Sequence, residues 1–495
     1  MERLSGLDAS FLYFETPNQH MHVLAVIEFD PATVPGGYSF DNIVEMIRSR
    51  LHLAPPLRRR LARVPFNLNH PVWVEDPDFD LDYHVRRIGC PAPGTDRELA
   101  EMVGDFASRP LDRSRPLWEL VVVEGLAHGR VAAMAKMHHC TIDGVSGANL
   151  MVHFFDLAPE TEVKLPPEDW KPDRIPTDFE LAGRGLAERS VRPLRLFKIL
   201  PETIGSVRRF VQARREHGGP GMAAPLTAPR TIYNSAITPH RQVAFAEISL
   251  EDVKKIKNAH GTTVNDVVQA ICAGALRRHL KRYDEIPDKA LIAAVPVSVR
   301  DDADESGGSN KVSALFSSLH THIRDPVERL LAIHEGNKGA KEEHKAIGAK
   351  LLQDWGEFAA PTTFSLAVRI YTGTRLIERG PVAVNLVISN VPGPPIPLYF
   401  AGAKLSGLYP LGPVLEGIAL NVTVVSYMDR LYWGLIACRE AVPGLWDLAG
   451  AIPEALDELL NPPARVARKK TTARRKPTAR RKPAPRKKAT VRAAG

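Results

Sequence analysis

The sequence predicts a mixed α/β fold with two halves that each combine strands and helices. Apolar stretches with strand character alternate with helical patterns in the first 160 residues and again after residue 240. Between them, prolines interrupt arginine-rich helical pieces. A length of 495 residues is too great for one hydrophobic core and is typical of two or three domains. We therefore expect an amino-terminal half at 1–160, a connector at 161–240, a carboxy-terminal half at 241–463 and a tail at 464–495.

The first half begins with a strand pattern at Met21–Phe29. A helical pattern follows at Ser39–Leu61, in which the pair Pro55-Pro56 is a break. Two apolar stretches, Trp118–Gly125 and Arg130–Met137, flank a short loop that contains glycine. This arrangement predicts a β-hairpin.

The second half repeats the mixture of strands and helices. A strand at Gln242–Ile248 leads into a helix capped by Ser249, and a longer helix starts at Thr263 or Asn265. A hairpin is expected around Asp429-Arg430. Further strands are predicted at Ala290–Val299, Lys311–Leu319, Val382–Ser389, Ile418–Tyr427 and Leu431–Cys438, and a final helix at Leu445–Leu460.

The net charge of +8 combines a basic tail with an acidic body. Fourteen Lys and Arg and no acidic residue lie within 465–492, so the rest of the chain carries a net charge of −6. An acidic body argues against a nucleic-acid-binding core. The tail repeats the six residues Thr472–Pro477 at Thr478–Pro483. Because it has too few apolar residues to offset its ordering entropy, we expect it to be disordered.

Three roles are open for this basic tail. It can serve solubility alone, bind anionic lipid at a membrane or lipid droplet, or bind nucleic acid. No aromatic residue is interleaved with its basic residues. We therefore rank a lipid surface above nucleic acid as its partner.

Cysteine spacing and hydropathy bear on the compartment of the protein. The four cysteines stand far apart without a CxxC pair, which predicts neither a zinc site nor a disulfide framework. Met1–Phe14 lacks a basic start followed by an apolar run, so we expect no secretory signal. The longest uncharged stretch, Gly380–Ala403, contains five prolines and cannot form a membrane helix. We expect a cytoplasmic protein, attached peripherally to the inner membrane or a lipid droplet if the tail binds lipid.

The densest cluster of reactive side chains is the sequence HHCTIDG at 138–144, which follows a predicted strand and precedes a helical pattern. Neighbouring side chains in an extended segment point to opposite faces, so His138 and His139 cannot both enter one pocket. Gly144 permits a reversal of the backbone. The carboxylate of Asp143 can brace the turn.

Four interpretations of this cluster are open. A metal site is disfavoured because the two imidazoles diverge and no second cluster such as HExxH adds ligands. A Cys140 nucleophile is disfavoured because Cys140 points away from His139 and no third group is evident. A neutral histidine with its usual pKa of roughly 6.5 suits general-base catalysis at pH 7. Two purely structural histidines are the remaining alternative.

HHxxxDG resembles the motif of the CoA-dependent acyltransferase superfamily, which includes chloramphenicol acetyltransferases and peptide-synthetase condensation domains. Arg115–Glu119 resembles the PLW segment of one branch, the bacterial wax ester synthase/diacylglycerol acyltransferase family, and Thr263–Val268 resembles its ND motif. Leu4–Phe11 and Asn390–Pro394 are also similar to that family. The resemblance covers about residues 1–460 and leaves the tail outside.

The resemblance implies two chloramphenicol-acetyltransferase-like halves with a channel between them, which CoA and the acceptor enter from opposite sides. It makes His139 the general base, with His138 beside it, and Asp143 a brace of the loop rather than a reactant.

Asn265, Trp118 and Gly144 complete the candidate site. Asn265 matches the ND motif and is a candidate oxyanion donor or loop-ordering group, with helix capping as the alternative. Capping or packing is the expectation for Asp266. Trp118 and Gly144 are candidate substrate-contact residues, and a core position is the alternative for Trp118.

The expected activity is that of an acyl-CoA-dependent O-acyltransferase. It would make triacylglycerol from diacylglycerol and long-chain acyl-CoA, and wax esters from long-chain alcohols. Acyl-CoA is a co-substrate, and we expect neither a cofactor nor a metal. Two alternatives stay open: a superfamily member with a polar or carrier-bound acceptor, and a non-catalytic lipid-droplet or nucleoid-associated protein that acts through its basic tail.

Overall fold

The computed structural model of the chain describes residues 2–141, 153–160, 174–183, 221–224, 226–298, 312–347 and 378–462, with isolated positions between some of these ranges. Contacts divide the chain into two units, Met1–Pro462 and Pro463–Gly495. Every element described below belongs to the first unit. Asp143, Gly144 and the basic tail lie outside the described residues.

The described residues include both helices and strands. The helices are α1 Gly6–Phe14, α2 Phe40–Arg50, α3 Leu81–His84, α4 Asp96–Ala107, α5 Leu250–His260, α6 Val264–Tyr283, α7 Pro326–Ile347 and α8 Leu445–Leu460. The strands are β1 Glu2–Arg3, β2 His22–Asp30, β3 Arg59–Ala62, β4 Val72–Glu75, β5 Val85–Gly89, β6 Trp118–Glu124, β7 Val131–His138, β8 Arg241–Ser249, β9 Ile292–Ser298, β10 Val312–Ser318, β11 Leu386–Val391, β12 Tyr399–Phe400, β13 Ala403–Leu411, β14 Leu420–Tyr427 and β15 Arg430–Cys438. The expected mixed α/β class is confirmed.

Several element boundaries differ from the expectation; the strand predicted at Val382–Ser389, for example, spans Leu386–Val391. The helix expected at Ser39–Leu61 ends at Arg50 and gives way to short 3₁₀ turns. The ring of Pro55 would clash with the carbonyl of Leu51 if the helix continued. The second hairpin turns at Met428-Asp429, one residue earlier than predicted, because Tyr427 pairs with Arg430.

The strands form two large mixed sheets and one small antiparallel sheet. The first large sheet has the order β12-β13-β2-β7-β6-β5, and the second has the order β10-β9-β11-β14-β15-β8. In the first, β5 runs parallel to β6 while the other pairs are antiparallel. In the second, β11 runs parallel to both β9 and β14. The strand that carries the histidine motif, β7, lies between β2 and β6 and is therefore central.

Strand β13 comes late in the chain but completes the first sheet. Its residues Lys404–Leu411 pair antiparallel with β2, so that Leu408 lies opposite Ile27. Strand β15 of the second sheet crosses close to β13, since a Cβ atom on Gly434 would overlap the carbonyl oxygen of Pro410. The expected amino-terminal and carboxy-terminal halves thus share a sheet.

The four cysteines of the chain are free thiols, and Cys140, Cys272 and Cys438 are buried. Within the described ranges, no helix combines the length and the apolar character that crossing a membrane requires.

Candidate active site

The end of β7 presents two histidines in different environments. His138 is the last residue of the strand, and its side chain is only 1% exposed. His139 follows in a turn and is partly exposed. A general base must reach a proton on the acceptor. Burial therefore disfavours His138 for this role and leaves His139 as the accessible imidazole.

One hydrogen bond to the ring of His138 assigns its tautomer. The amide of Cys140 donates to Nδ1 of His138 over 3.1 Å, so the neutral ring carries its proton on Nε2. Nε2 lies 3.6 Å from Oε2 of Glu15. Burial lowers the pKa of His138, which keeps the ring neutral at pH 7. Both ring nitrogens thus face protein groups.

Glu15 is the centre of a buried polar cluster beside the motif. Its side chain is 10% exposed, and its Oε1 lies 3.2 Å from Nε2 of His22. Arg113 donates from Nε over 3.0 Å and also from its terminal nitrogen to Oε2 of Glu15. Burial alone would raise the pKa of Glu15, but the N–H groups of His138 and His22 and the charge of Arg113 hold it well below its usual value. Glu15 is therefore a carboxylate at pH 7.

His139 is held through its backbone and through its ring. Its amide donates to the carbonyl of Met21 over 2.8 Å, and the amide of Thr141 closes the turn on the carbonyl of His138 over 2.9 Å. The imidazole stacks on Phe11 with 4.2 Å between ring centroids and 23° between planes. The stacking partner comes from α1, more than a hundred residues earlier in the sequence.

Cys140 has the environment of a core thiol. The residue is buried, and burial raises the pKa of its thiol well above the usual value. A nucleophilic cysteine needs the thiolate, which this environment disfavours. Among the described residues, His, Cys, Asp and Glu do not form a group of three or more that could hold a metal ion.

The PLW segment runs directly alongside the motif. The carbonyl of Leu117 accepts from the amide of His138 over 3.0 Å. Trp118 is 4% exposed, donates from Nε1 to the carbonyl of Leu57 over 2.7 Å, and stacks on His84 at 4.6 Å. These are the contacts of a core residue. That Trp118 contacts the substrate stays a prediction.

The ND motif opens helix α6. Thr263 and Asp266 form a capping box, with the amide of each residue donating to the side chain of the other. Asp266 also accepts from His334 over 2.7 Å and from Asn337 over 2.8 Å, both on α7. The expected capping and packing role of Asp266 is thus present. Asn265 is partly buried, and its assignment as an oxyanion donor stays a prediction.

Comparison with known sequences identifies the family of the chain. The sequence profile of the wax ester synthase/diacylglycerol acyltransferase catalytic domain matches residues 4–268, and that of the carboxy-terminal domain matches residues 308–460. The chain belongs to the wax ester synthase/diacylglycerol acyltransferase family. The resemblance seen in the motifs is confirmed, and the chain is an acyl-CoA-dependent acyltransferase.

Family relatives cover nearly the whole chain. One Mycobacterium tuberculosis protein (strain CDC 1551 / Oshkosh), named provisionally as a diacylglycerol O-acyltransferase, is 43% identical over 93% of this chain and 90% of its own length. A second protein of that strain, named in the same way, is 40% identical over 87% of this chain and 90% of its own length.

Solved structures support the same family and fold. The wax ester synthase/diacylglycerol acyltransferase from Marinobacter aquaeolei VT8 matches with a TM-score of 0.66 and 31% identity, over 93% of this chain and 98% of that one. The first condensation domain of the CDA synthetase matches with a TM-score of 0.51 over 93% of this chain and 95% of that one. At 16% identity, the second match concerns the fold alone.

The wax ester synthase/diacylglycerol acyltransferase motifs point to β7, β6 and α6 but not to the buried cluster beside them. Glu15, His22 and Arg113 carry no motif that sequence reasoning singled out. Phe11 lies in a segment that resembled the family, although no role followed from it. No spacing rule links these positions to residue 138, because strand pairing and helix packing bring them together.

Proposed function

We propose that the chain transfers an acyl group from a long-chain acyl-CoA to the hydroxyl of diacylglycerol, giving triacylglycerol and free CoA. The observation that carries the proposal is the partly exposed His139 beside the buried His138, in a chain of this family. The names of the mycobacterial relatives support diacylglycerol as the acceptor.

The proposed mechanism is direct transfer with His139 as the general base. His139 takes the hydroxyl proton while the acceptor oxygen attacks the thioester carbonyl. The carbon–sulfur bond of the tetrahedral intermediate then breaks, and the imidazolium returns the proton to the CoA thiolate. No acyl-enzyme forms, consistent with the buried Cys140. Asn265 is the proposed donor to the oxyanion.

A long-chain alcohol is the second acceptor that we propose, with wax ester as the product. The Marinobacter structure bears both activities in its name. A diacylglycerol and a fatty alcohol share a hydroxyl group beside long apolar chains. The same base and the same thioester therefore serve both reactions.

We expect purified protein to release CoA from palmitoyl-CoA only when diacylglycerol or a long-chain alcohol is present. A water molecule is the competing acceptor if the reaction is hydrolysis. The measurement is CoA release across a panel of acceptors, with mass spectrometry of the lipid products. Equal CoA release without acceptor would identify a thioesterase. Product formation only with a polar or carrier-bound acceptor would show that the acceptor is not a lipid.

We also propose that the basic tail binds anionic lipid, which would bring the enzyme to the surface where its substrates lie. Each basic residue near such a surface contributes about 1 kcal/mol. Deleting residues 464–495 is therefore expected to weaken binding to phosphatidylglycerol vesicles about tenfold or more, with turnover of dispersed substrate unchanged. Phosphatidylcholine vesicles are the control. Unchanged sedimentation with anionic vesicles after the deletion would leave the tail without this role.

A further inference from the structure

We propose that Glu15 is a positioning residue for His139. The carboxylate of Glu15 fixes the turn that carries His139 from both sides, while α1, which ends beside Glu15, supplies the surface on which the imidazole stacks. This inference rests on the proposed role of His139 as the base. It adds a group outside all the motifs of the sequence and more than a hundred residues away from the turn.

The first connection runs through the ring of His138. Glu15 faces Nε2 of His138 at 3.6 Å, and Nδ1 of the same ring accepts the amide of Cys140 over 3.1 Å. The ring of His138 therefore spans His139, because it belongs to the residue before His139 and binds the amide after it. If Glu15 were displaced, the ring of His138 would lose its fixed orientation. The residues before and after His139 would then no longer be held in place.

The second connection runs through Met21. The amide of Met21 donates to Oε1 of Glu15 over 3.4 Å, and the carbonyl of Met21 accepts the amide of His139 over 2.8 Å. Met21 directly precedes β2, in which His22 pairs with His138 of β7. The same carboxylate thus holds the backbone segment to which His139 itself is bonded.

The third connection runs through α1 and Arg113. Arg113 donates to Glu15 and, over 3.0 Å, to the carbonyl of Leu12 in α1. The helix packs in a small core cluster that includes Leu12, Leu117 and Cys140. Phe11 of this helix stacks on the imidazole of His139. The ring of His139 is therefore aligned by the helix that Arg113 ties to Glu15.

The charge of Glu15 is required as well as its shape. The amide of Met21 and the guanidinium of Arg113 donate hydrogen bonds to its two oxygens, and Nε2 of His22 and of His138 lie 3.2 and 3.6 Å from them. A glutamine at this position would present one NH₂ group to these donors and leave the guanidinium of Arg113 without an anion. Unsatisfied buried donors would then rearrange the cluster.

The decisive experiment compares Glu15→Gln with Glu28→Gln. Glu28 is also buried, lies on β2, and is paired with Arg130. Both variants remove a buried carboxylate from an arginine, so both are expected to lower the melting temperature. Only Glu15→Gln is expected to lower kcat, by about 10- to 100-fold, because small misplacements of a catalytic group have effects of this size. KM for acyl-CoA and acceptor should stay within about twofold.

A purely structural Glu15 would give kcat within about twofold of the unmodified protein in every folded variant, and that result would overturn the proposal. If Glu15→Gln does not fold, Glu15→Asp tests the proposal instead. Aspartate keeps the negative charge, but its side chain is one methylene shorter, so the charge lies farther from its partners. An intermediate kcat is then expected, and a full kcat contradicts the proposal.

The double variant Glu15→Gln/His139→Ala separates this inference from the proposed function. If Glu15 acts through His139, the double variant is no less active than His139→Ala alone. A further loss of activity in the double variant would show that Glu15 acts elsewhere. An active His139→Ala would instead overturn the base assignment itself, whatever Glu15→Gln does.

Discussion

His139→Ala is expected to lower kcat by roughly 100- to 10,000-fold, because the acceptor hydroxyl would lose the base proposed for it. The protein should still fold, since the backbone bond from residue 139 to Met21 does not involve the side chain. The measurement is single-turnover acyl transfer to diacylglycerol, with circular dichroism and the melting temperature as checks on folding.

His128→Asn is the matched control for that experiment. His128 is an exposed histidine at the opposite end of β7, and its positive φ of 61° is one that asparagine tolerates. This variant should keep its full kcat. A His139→Ala protein with a kcat equal to that of the control would remove His139 from the mechanism.

Asp266→Ala is expected to lower the free energy of unfolding by about 3 kcal/mol or more. Asp266 is 2% exposed, and the substitution would remove the acceptor of His334, of the amide of Thr263 and of the shorter of two hydrogen bonds from Nδ2 of Asn337. The bonds from His334 and Asn337 join α6 to α7. Urea unfolding followed by circular dichroism measures the change.

Asp252→Ala is the matched control for the unfolding experiment. Asp252 occupies the same position after the N-cap Ser249 of α5, but its side chain is 31% exposed. Asp252→Ala should lower the free energy of unfolding by no more than about 1 kcal/mol, which is the usual contribution of a charged side chain at a helix terminus. Equal destabilisation by the two substitutions would contradict the packing role of Asp266.

The pH dependence of the Asp266 effect has a defined sign. Burial alone would raise the pKa of Asp266, but hydrogen bonds from Asn337, His334 and Thr263 outweigh it and lower the pKa in the folded state. The contribution of Asp266 to folding stability is therefore fully present above roughly 3.9, the pKa of an aspartate in the unfolded chain. It is lost as the pH falls through the lower pKa that Asp266 has in the folded state. The stability difference between the unmodified protein and Asp266→Ala should shrink in that acidic range.

Features that depend on short-range order follow from the amino-acid sequence alone. The final helix occurs at Leu445–Leu460 as its periodicity predicts, and the hairpin of β6 and β7 lies where the two apolar stretches predict it. Strand alternation also predicts that His138 and His139 point to opposite faces. Periodicity and capping act over a few residues, so they can be seen in the sequence.

The surroundings of the candidate base, in contrast, depend on tertiary packing. Strand β13 pairs with β2 across more than 370 residues of chain, and Glu15 meets Arg113 and His138 where α1 packs against the turn that follows β7. No local sequence pattern marks Glu15, because strand pairing and the packing of α1 determine which residues lie next to it. The motif HHCTIDG thus predicts where the chemistry lies, whereas the fold determines which imidazole is accessible and which carboxylate lies beside its turn.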